Sequence, residues 1–418
     1  MFDKSRDSMR RTFVDLTRQC LMKGGIILTY FVGIDLAKFH HECLIINHYG
    51  EVIIKSFTFD NTHHGFRSML SALSSLDASE SIKIGFEATG HYGTNLKNFL
   101  THHGYDFMEI HPVLINQFSK SSSLRKTKTD RTDVALICSY LITVEFKPYP
   151  TQSYHTASLK SLTRSRDTLV KERSLQLQRM TNVLDLVFPE FKPFFKHSLA
   201  SATCLYILNN YTLPSKIARM NLISYEKMSS ILRHTISYAR FLSLKDLAKN
   251  TVGVENDLLE FQLRNYLTLY TTLNQLILET EALIVREFSK IPTHLQSIPG
   301  NGIISAAGIF SEIDPIARFN HSDQLVAFCG LDPALYQSGE SEFKGRMVKR
   351  GSSYLRQYVM NSTQMVILHN PIFYDYYLKK RQEGKPHRVA LSHVAKKLIR
   401  IIYKLETSQI NFDASKMI

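Results

Sequence analysis

The sequence predicts an α/β domain followed by a mainly helical chain, and three observations carry that prediction. Residues 30–57 read as three short apolar strands, "YFVGIDLA", "ECLIIN" and "EVIIKSF", with the turn signal "NHYG" between the last two. After them, helical and strand patterns alternate as far as a helix starting near Asp130. Beyond residue 155 the leucines fall three and four apart, which is the period of a helix.

Taken in order, an amphipathic helix at about 62–76 precedes a buried strand, "IKIGFE" (82–87). A helix near 93–102, the strand "YDFMEI" (105–110) and the Asp130 helix follow. An antiparallel three-strand meander with alternating helices and strands behind it is an α/β plan. It fits an RNase H-like domain, among other folds that open the same way. The helical pattern of 155–187 is closed by Pro189 and Pro193, and a second long one runs from about 254 to 290. Two long helices around a less regular middle suggest an antiparallel coiled-coil arm, with an ordinary helical bundle as the alternative. In "LQSIPGNGIISAAGIFSEI" (295–313), a Pro-Gly-x-Gly turn between helices has the helix-hairpin-helix pattern. Gly300 and Gly302 would there expose backbone N–H groups to a phosphate. The expected organisation is a leader (1–29), the α/β domain (30–150), a helical or coiled-coil region (151–290), a mainly α C-terminal domain (291–405) and a tail (406–418). The leader is either disordered or precedes a working start at Met22.

Composition narrows the partners. With 51 Lys and Arg against 37 Asp and Glu, the formal charge is +14, so nucleic acid is the first expected partner and an anionic membrane surface the second. The longest apolar run, "GGIILTYFVGI" (24–34), is too short to span a bilayer and ends on Asp35, so no membrane span is expected. Residues 1–23 carry mixed charges and no cleavage pattern, unlike a signal peptide. Five scattered cysteines without a CxxC argue for the reducing cytoplasm and against disulfides or zinc. The histidine doublets, such as His40-His41, are poor chelators because neighbours in a strand or helix point apart.

Four acids carry the candidate chemistry. Asp35 lies in the first strand, Glu87 ends the strand "IGFE", and Asp130 and Asp133 stand i, i+3 on one helix face. In an RNase H-like fold these elements meet at one end of the sheet. Crowded carboxylates resist ionisation unless a cation joins them, and Mg²⁺ with its hard oxygen ligands and retained waters suits the role. Lys126, Lys128 and Arg131 around the pair would hold a nucleic-acid backbone. Singly, each acid has a structural reading: Asp35 as a strand end, Glu87 as a cap, Asp130 as a helix N-cap. A second constellation, "LYQSGESEFKGRMVKRGSSYLRQYV" (335–359), reads as a basic loop around a hydroxyl. It brings Ser338 together with Lys344, Arg346, Lys349, Arg350 and Arg356. Ser338 would be a nucleophile if a base or metal lowered its proton affinity. Ser-Gly is also a common turn, and Ser352 and Ser353 compete, although they read as a cap for the following helix.

In this order, "FVGIDLAK", "GFEATGHYG", "KTDRTDVALI", "IPGNGIISAAGIFSEI", "FCGLDPALYQSG" and "GRMVKRGSSYLR" resemble the DEDD transposases of the IS-one-ten type, including the Piv-like pilin-gene invertases. The resemblance spans roughly residues 30–365. It implies a RuvC-like N-terminal domain, a coiled-coil middle and a C-terminal transposase domain. Asp35, Glu87, Asp130 and Asp133 match the DEDD acids with Mg²⁺, and Ser338 matches the nucleophilic serine that links covalently to DNA. It further implies donor and target DNA as partners and a structured bridge RNA that pairs with both. A homo-oligomer, dimer to tetramer, would build composite sites from two protomers. The lead before Tyr30 and the stretch after the serine segment are longer than the pattern, and the basic run there reads as extra RNA or DNA contact. The rivals are a RuvC-like nuclease or junction resolvase using metal-activated water, an actin-like sugar kinase, and a non-catalytic RNA-binding protein. Ser338→Ala separates the first, ATP-dependent phosphorylation the second, and tolerance of Asp35→Asn and Glu87→Gln the third.

Overall fold

Alternation along the first strand organises the N-terminal unit, residues 1–151 of the two units into which the chain divides. The computed structural model describes residues 29–88, 90–122, 130–149, 154–196, 199–338 and 341–417. Strand β1 (Thr29–Leu36) pairs antiparallel with β2 (His40–Asn47), and β2 with β3 (Val52–Asp60). On its other side β1 runs parallel to β4 (Ser81–Glu87), and β4 to β5 (Phe107–Ile110), giving the order β3-β2-β1-β4-β5. Val32, Ile34 and Leu36 face one core with Met69 and Leu73 of α1 (His63–Ser74) and Leu96 and Leu100 of α2 (Thr94–His102). Phe31 faces the other core, with Ile115 of α3 (Pro112–Ser122) and Val134, Ile137 and Leu141 of α4 (Asp130–Thr143). A strand covered on both faces reads as a continuous apolar run, which is why "YFVGI" does not alternate in polarity. A five-stranded mixed sheet sandwiched in this way is compatible with an RNase H-like fold. The helix α3 was not expected from the sequence; Pro112 opens it, where a missing N–H costs nothing.

Two glycines let α4 lie directly on the sheet. A Cβ on Gly33 of β1 would stand 2.6 Å from the Val134 carbonyl, and one on Gly85 of β4 would stand 2.7 Å from a Leu141 methyl. The helix direction follows from its contacts. Val134 lies over Gly33, whereas Phe146, just beyond the helix, shares the Lys83 ammonium with Phe31, two residues earlier in β1. The first turn of α4 therefore lies at the C-terminal end of β1.

In the second unit, residues 152–418, α5 (Tyr154–Val187) and α11 (Asp257–Phe288) pack antiparallel. Arg166 bonds Glu281 at 2.8 Å and Arg173 bonds Asn274 at 2.8 Å, so seven residues forward on one helix match seven back on the other. Leu263, Leu267, Tyr270, Ile277, Ile284 and Phe288 recur at three, four and seven residues, the seam of a coiled coil. At 34 residues, α5 is roughly 50 Å long. Its two ends enter separate cores. Met180 and Leu184 join Leu263 and Leu267 in a core filled by the short helices α6 (Phe191–Phe194), α7 (Ala202–Tyr211), α8 (Pro214–Ala218), α9 (Leu222–Ile231) and α10 (Tyr238–Lys249). Ser201, Asn221 and Ser237 cap three of them, so the middle expected to be less regular is helical.

At the other end Leu159, Ile284 and Phe288 join α12 (Ile303–Ile313), α13 (Ser322–Phe328), α14 (Ser353–His369), α15 (Pro371–Gln382) and α16 (His387–Ser408). Between α13 and α14 stands a two-stranded hairpin, β6 (Pro333–Ser338) and β7 (Ser341–Met347). The expected basic loop is thus mostly a β-ribbon, because Leu335, Tyr336 and Phe343 suit a pleated pair. Among the described residues, no helix is long and apolar enough to cross a membrane.

Candidate active site

Register brings the first two acids together. Ile34 pairs with Phe86, so Asp35 and Glu87 follow as the next residues on adjacent parallel strands. Both stand two residues beyond a glycine that faces α4, and therefore on the α4 side of the sheet. Asp130 and Asp133 occupy the first turn of α4, at the same end. The strands and the helix start expected to carry the four acids converge, because Gly33 admits the helix backbone and Gly85 the Leu141 side chain. Arg131 is exposed on that first turn, while Lys126 and Lys128 lie outside the described residues.

Register also brings in an acid that the motif reading missed. Glu42 of β2 pairs with Asp35, and Thr58 of β3 donates a 2.7 Å hydrogen bond to its carboxylate. An open cleft of about 390 Å³ is lined by Asp35, Ala37, His40, Glu42, Thr58 and Asp60. The available signal was the tight β1–β2 turn, since the six residues between Asp35 and Glu42 place them opposite one another. His41 points the other way. It is fully buried, stacked edge-on to Phe59 at 5.2 Å, and burial, with help from the His40 charge and against an Asn61 hydrogen bond, lowers its pKa to about 4.

Carboxylate oxygens are the hard donors that suit a divalent cation. Among the described residues, no three His, Cys, Asp or Glu side chains are already gathered tightly enough to hold one.

Ser338 lies elsewhere, in the second unit. It ends β6 and pairs with Ser341 at the tip of the hairpin, five residues from its base, or roughly 17 Å along the strand. The hairpin strands also carry Lys344, opposite Leu335, and Arg346. The base closes with a 2.9 Å bond from the Val348 N–H to the Asp332 carbonyl. Lys349 and Arg350 are exposed just beyond it, and Lys349 is held at φ 53°, the left-handed region. Arg356 has a structural task besides any nucleic-acid contact, because it donates to the carbonyls of Cys329 (3.1 Å) and Lys349 (3.3 Å). Ser352 caps α14 by accepting from the Leu355 N–H. Its hydroxyl donates at 2.9 Å to Glu312, a fully buried carboxylate that also takes a bidentate pair from Arg164 of α5 at 2.7 and 3.0 Å. Glu312 went unnoticed in the sequence; a lone Glu in the apolar stretch "IISAAGIFSEI" is the signal that could have found it.

The Pro-Gly-x-Gly turn divides its two glycines. Gly300 is at φ 89° and its Cβ would sit 2.6 Å from the Met365 carbonyl, so it is committed to packing on α14. Gly302 caps α12 and faces open space.

Two family models match the chain. One, described as a transposase and of the DEDD type, covers residues 32–189, and the other, described as the transposase IS116/IS110/IS902 family, covers residues 293–378. The chain belongs to this transposase family. The IS116 uncharacterized 44.8 kDa protein of Streptomyces clavuligerus is 22% identical over 385 residues, covering 90% of this chain and 94% of its own. The pilin gene-inverting protein of Moraxella lacunata is 27% identical over 151 residues, 35% of this chain and 46% of its own. The transposase of IS1111A from Coxiella burnetii is 32% identical over 91 residues, 22% and 25% of the two chains. This transposase acts on DNA, and membership of a DEDD family implies a divalent metal.

Proposed function

We propose that this transposase cuts and rejoins DNA with Mg²⁺ at Asp35, Glu87, Asp130 and Asp133 and with Ser338 as the nucleophile. The N-terminal unit would then be a RuvC-like catalytic domain (30–150), followed by a coiled-coil region (151–290) and a serine-bearing transposase domain (291–405). The observation that carries the reading is the convergence of the β1 and β4 ends with the first turn of α4. Bound at the four carboxylates, Mg²⁺ would supply Lewis acidity toward a phosphate oxygen.

The chain's own residues do the rest. The Ser338 Oγ loses its proton and attacks the scissile phosphorus, giving a phosphoserine and releasing one DNA strand as a 3′-hydroxyl. Another strand's 3′-hydroxyl then attacks the ester and returns the proton to Ser338 Oγ. The bond count is conserved, so no external energy source is required. Arg346, Lys349 and Arg350 stabilise charge on the transferring phosphate, with Lys344 and Arg356 beside them. Lys126, Lys128, Arg131 and the open Gly302 hold backbone phosphates, with Gly300 shaping the turn. In the same reading an element-encoded bridge RNA pairs with donor and target DNA, the excess of 14 positive charges serves both polymers, and homo-oligomers in the bacterial cytoplasm supply the carboxylates and the serine from different protomers.

The test incubates protein, flanking non-coding RNA, donor DNA and Mg²⁺, and looks for a covalent protein–DNA adduct. The adduct is expected with wild type and absent with Ser338→Ala and Asp35→Asn. Cleavage that survives Ser338→Ala would replace this mechanism with hydrolysis by water.

A further inference from the structure

The match to the second family model ends at residue 378, and the most basic part of the chain begins there. Residues 378–400 hold eight Lys and Arg against one Glu. They form the end of α15, a turn and the first part of α16.

One side of α16 is apolar and buried: Ala390, Leu391, Val394, Ala395, Leu398, Ile399, Ile402 and Leu405 all enter the C-terminal core or the helices against it. The opposite side carries His393, Lys396, Lys397, Arg400 and Lys404. At 100° per residue these five fall within about 100° of one another, over roughly 16 Å of helix. Few anions answer them. Arg400 pairs with the exposed Asp323 at 2.9 Å and Lys380 with Glu383 at 2.8 Å. Among the described residues, Lys379, Lys385, Arg388, Lys396, Lys397 and Lys404 form no ion pair. Lys397 instead lies over the ring of Tyr376, 4.9 Å from its centre, and Lys380 reaches the same ring at 5.4 Å. Burial lowers the pKa of Lys396, with Asp332 opposing and Arg400 adding to the shift; His393 is lowered by burial and then by Lys380, Lys396 and Lys385. Burial is the larger cause of both shifts, and neighbouring like charges add to it.

We propose that the outer face of α16 is a nucleic-acid backbone clamp, which binds a run of phosphates by charge and lies beyond the residues of the proposed active site. Phosphates succeed one another every 3.4 Å per strand of duplex, so the face spans several. A membrane fits poorly, because the helix has spent its apolar side on the core and offers a bilayer only charge. Asp332, the anion that acts on Lys396, is the residue before β6. A strand lying along α16 would therefore arrive at the base of the Ser338 hairpin.

The full-length triple variant Lys396→Gln, Lys397→Gln and Lys404→Gln tests this, with the corresponding triple Arg variant as a charge-preserving control for folding. Binding is measured against salt for a random-sequence DNA duplex, an RNA of the same sequence and phosphatidylserine vesicles. Each lost phosphate contact lowers the slope of log K against log salt by about 0.9, so the Gln variant loses roughly two to three units and the Arg variant loses none. A loss on DNA, on RNA or on both supports the clamp and names its polymer. Unchanged slopes on both, a loss on vesicles alone, or an equal loss in the Arg variant overturns it. A failure of the serine mechanism shows separately, as an adduct that survives Ser338→Ala with no change of slope.

Discussion

The carboxylate end of the sheet and the serine hairpin are built on opposite plans. Asp35 and Glu87 continue two central strands that are buried on both faces, and the helix bearing Asp130 and Asp133 is pressed onto those strands, with the Val134 carbonyl against Gly33 and the Leu141 side chain against Gly85. Ser338 ends a two-stranded ribbon that is a separate sheet, fastened at its base by Asp332, Arg356 and the capped start of α14. Metal ligands must be held to a fraction of an ångström, and strands inside a packed sheet do that. A two-stranded ribbon is weakly supported on its own, which would suit the nucleophile role proposed for Ser338.

The largest expected effect breaks the rigid side of this contrast. Gly33→Leu drives a side chain into the Val134 carbonyl, which cannot move without the helix, and should cost more than about 3 kcal/mol. Thermal unfolding of the N-terminal unit would show it, and metal-dependent cleavage should vanish too. Glu312→Ala tests the hairpin's foundation. It strands Arg164 and removes the acceptor of Ser352, for about 3 kcal/mol; because Arg164 is partly exposed, the loss should sit at the low end for a broken buried pair. A denaturant midpoint unchanged from wild type would remove Glu312 from this role.

Acid probes the packed sheet from its other face. His41 has a folded pKa of about 4, below the roughly 6.5 of an unfolded histidine, so its contribution is complete above about pH 6.5 and lost as the pH falls toward 4. About 3 kcal/mol is at stake across that window, and in His41→Phe this part of the pH dependence of unfolding should disappear. Ser352→Ala removes a helix cap and should cost about 1 kcal/mol in denaturant unfolding. Smallest of all, Ser338→Ala at the ribbon tip should leave the melting temperature unchanged, shifting stability by less than about 0.5 kcal/mol. A large loss there would mean that the hairpin is part of the core.

Much of the fold was legible in the sequence. The three opening strands, the strand ending in Glu87 and the two long helices each show an apolar period over enough residues to be read. The helix α3 was missed because "PVLINQFSKSS" has a weak apolar stripe between a strand and a polar stretch. The hairpin was read as a loop because basic residues and glycines interrupt its alternation. At the candidate site the four proposed acids were picked out by their places in strands and helix, whereas Glu42 and Glu312 were not. One is recognised only by cross-strand register, the other only by the partners it meets from distant segments.

What the sequence determined by itself is chemistry and period: which residues can ionise, which stretches are strands or helices, and which ordered motifs mark a transposase. The tertiary structure alone decided that α4 runs back along β1, so that its first turn lies at the C-terminal end of that strand. It also decided that one buried carboxylate joins α5, α12 and α14. The reason is physical. Periodicity reports on a segment's own surface, while register, helix direction and buried ion pairs depend on close packing between segments far apart in the chain.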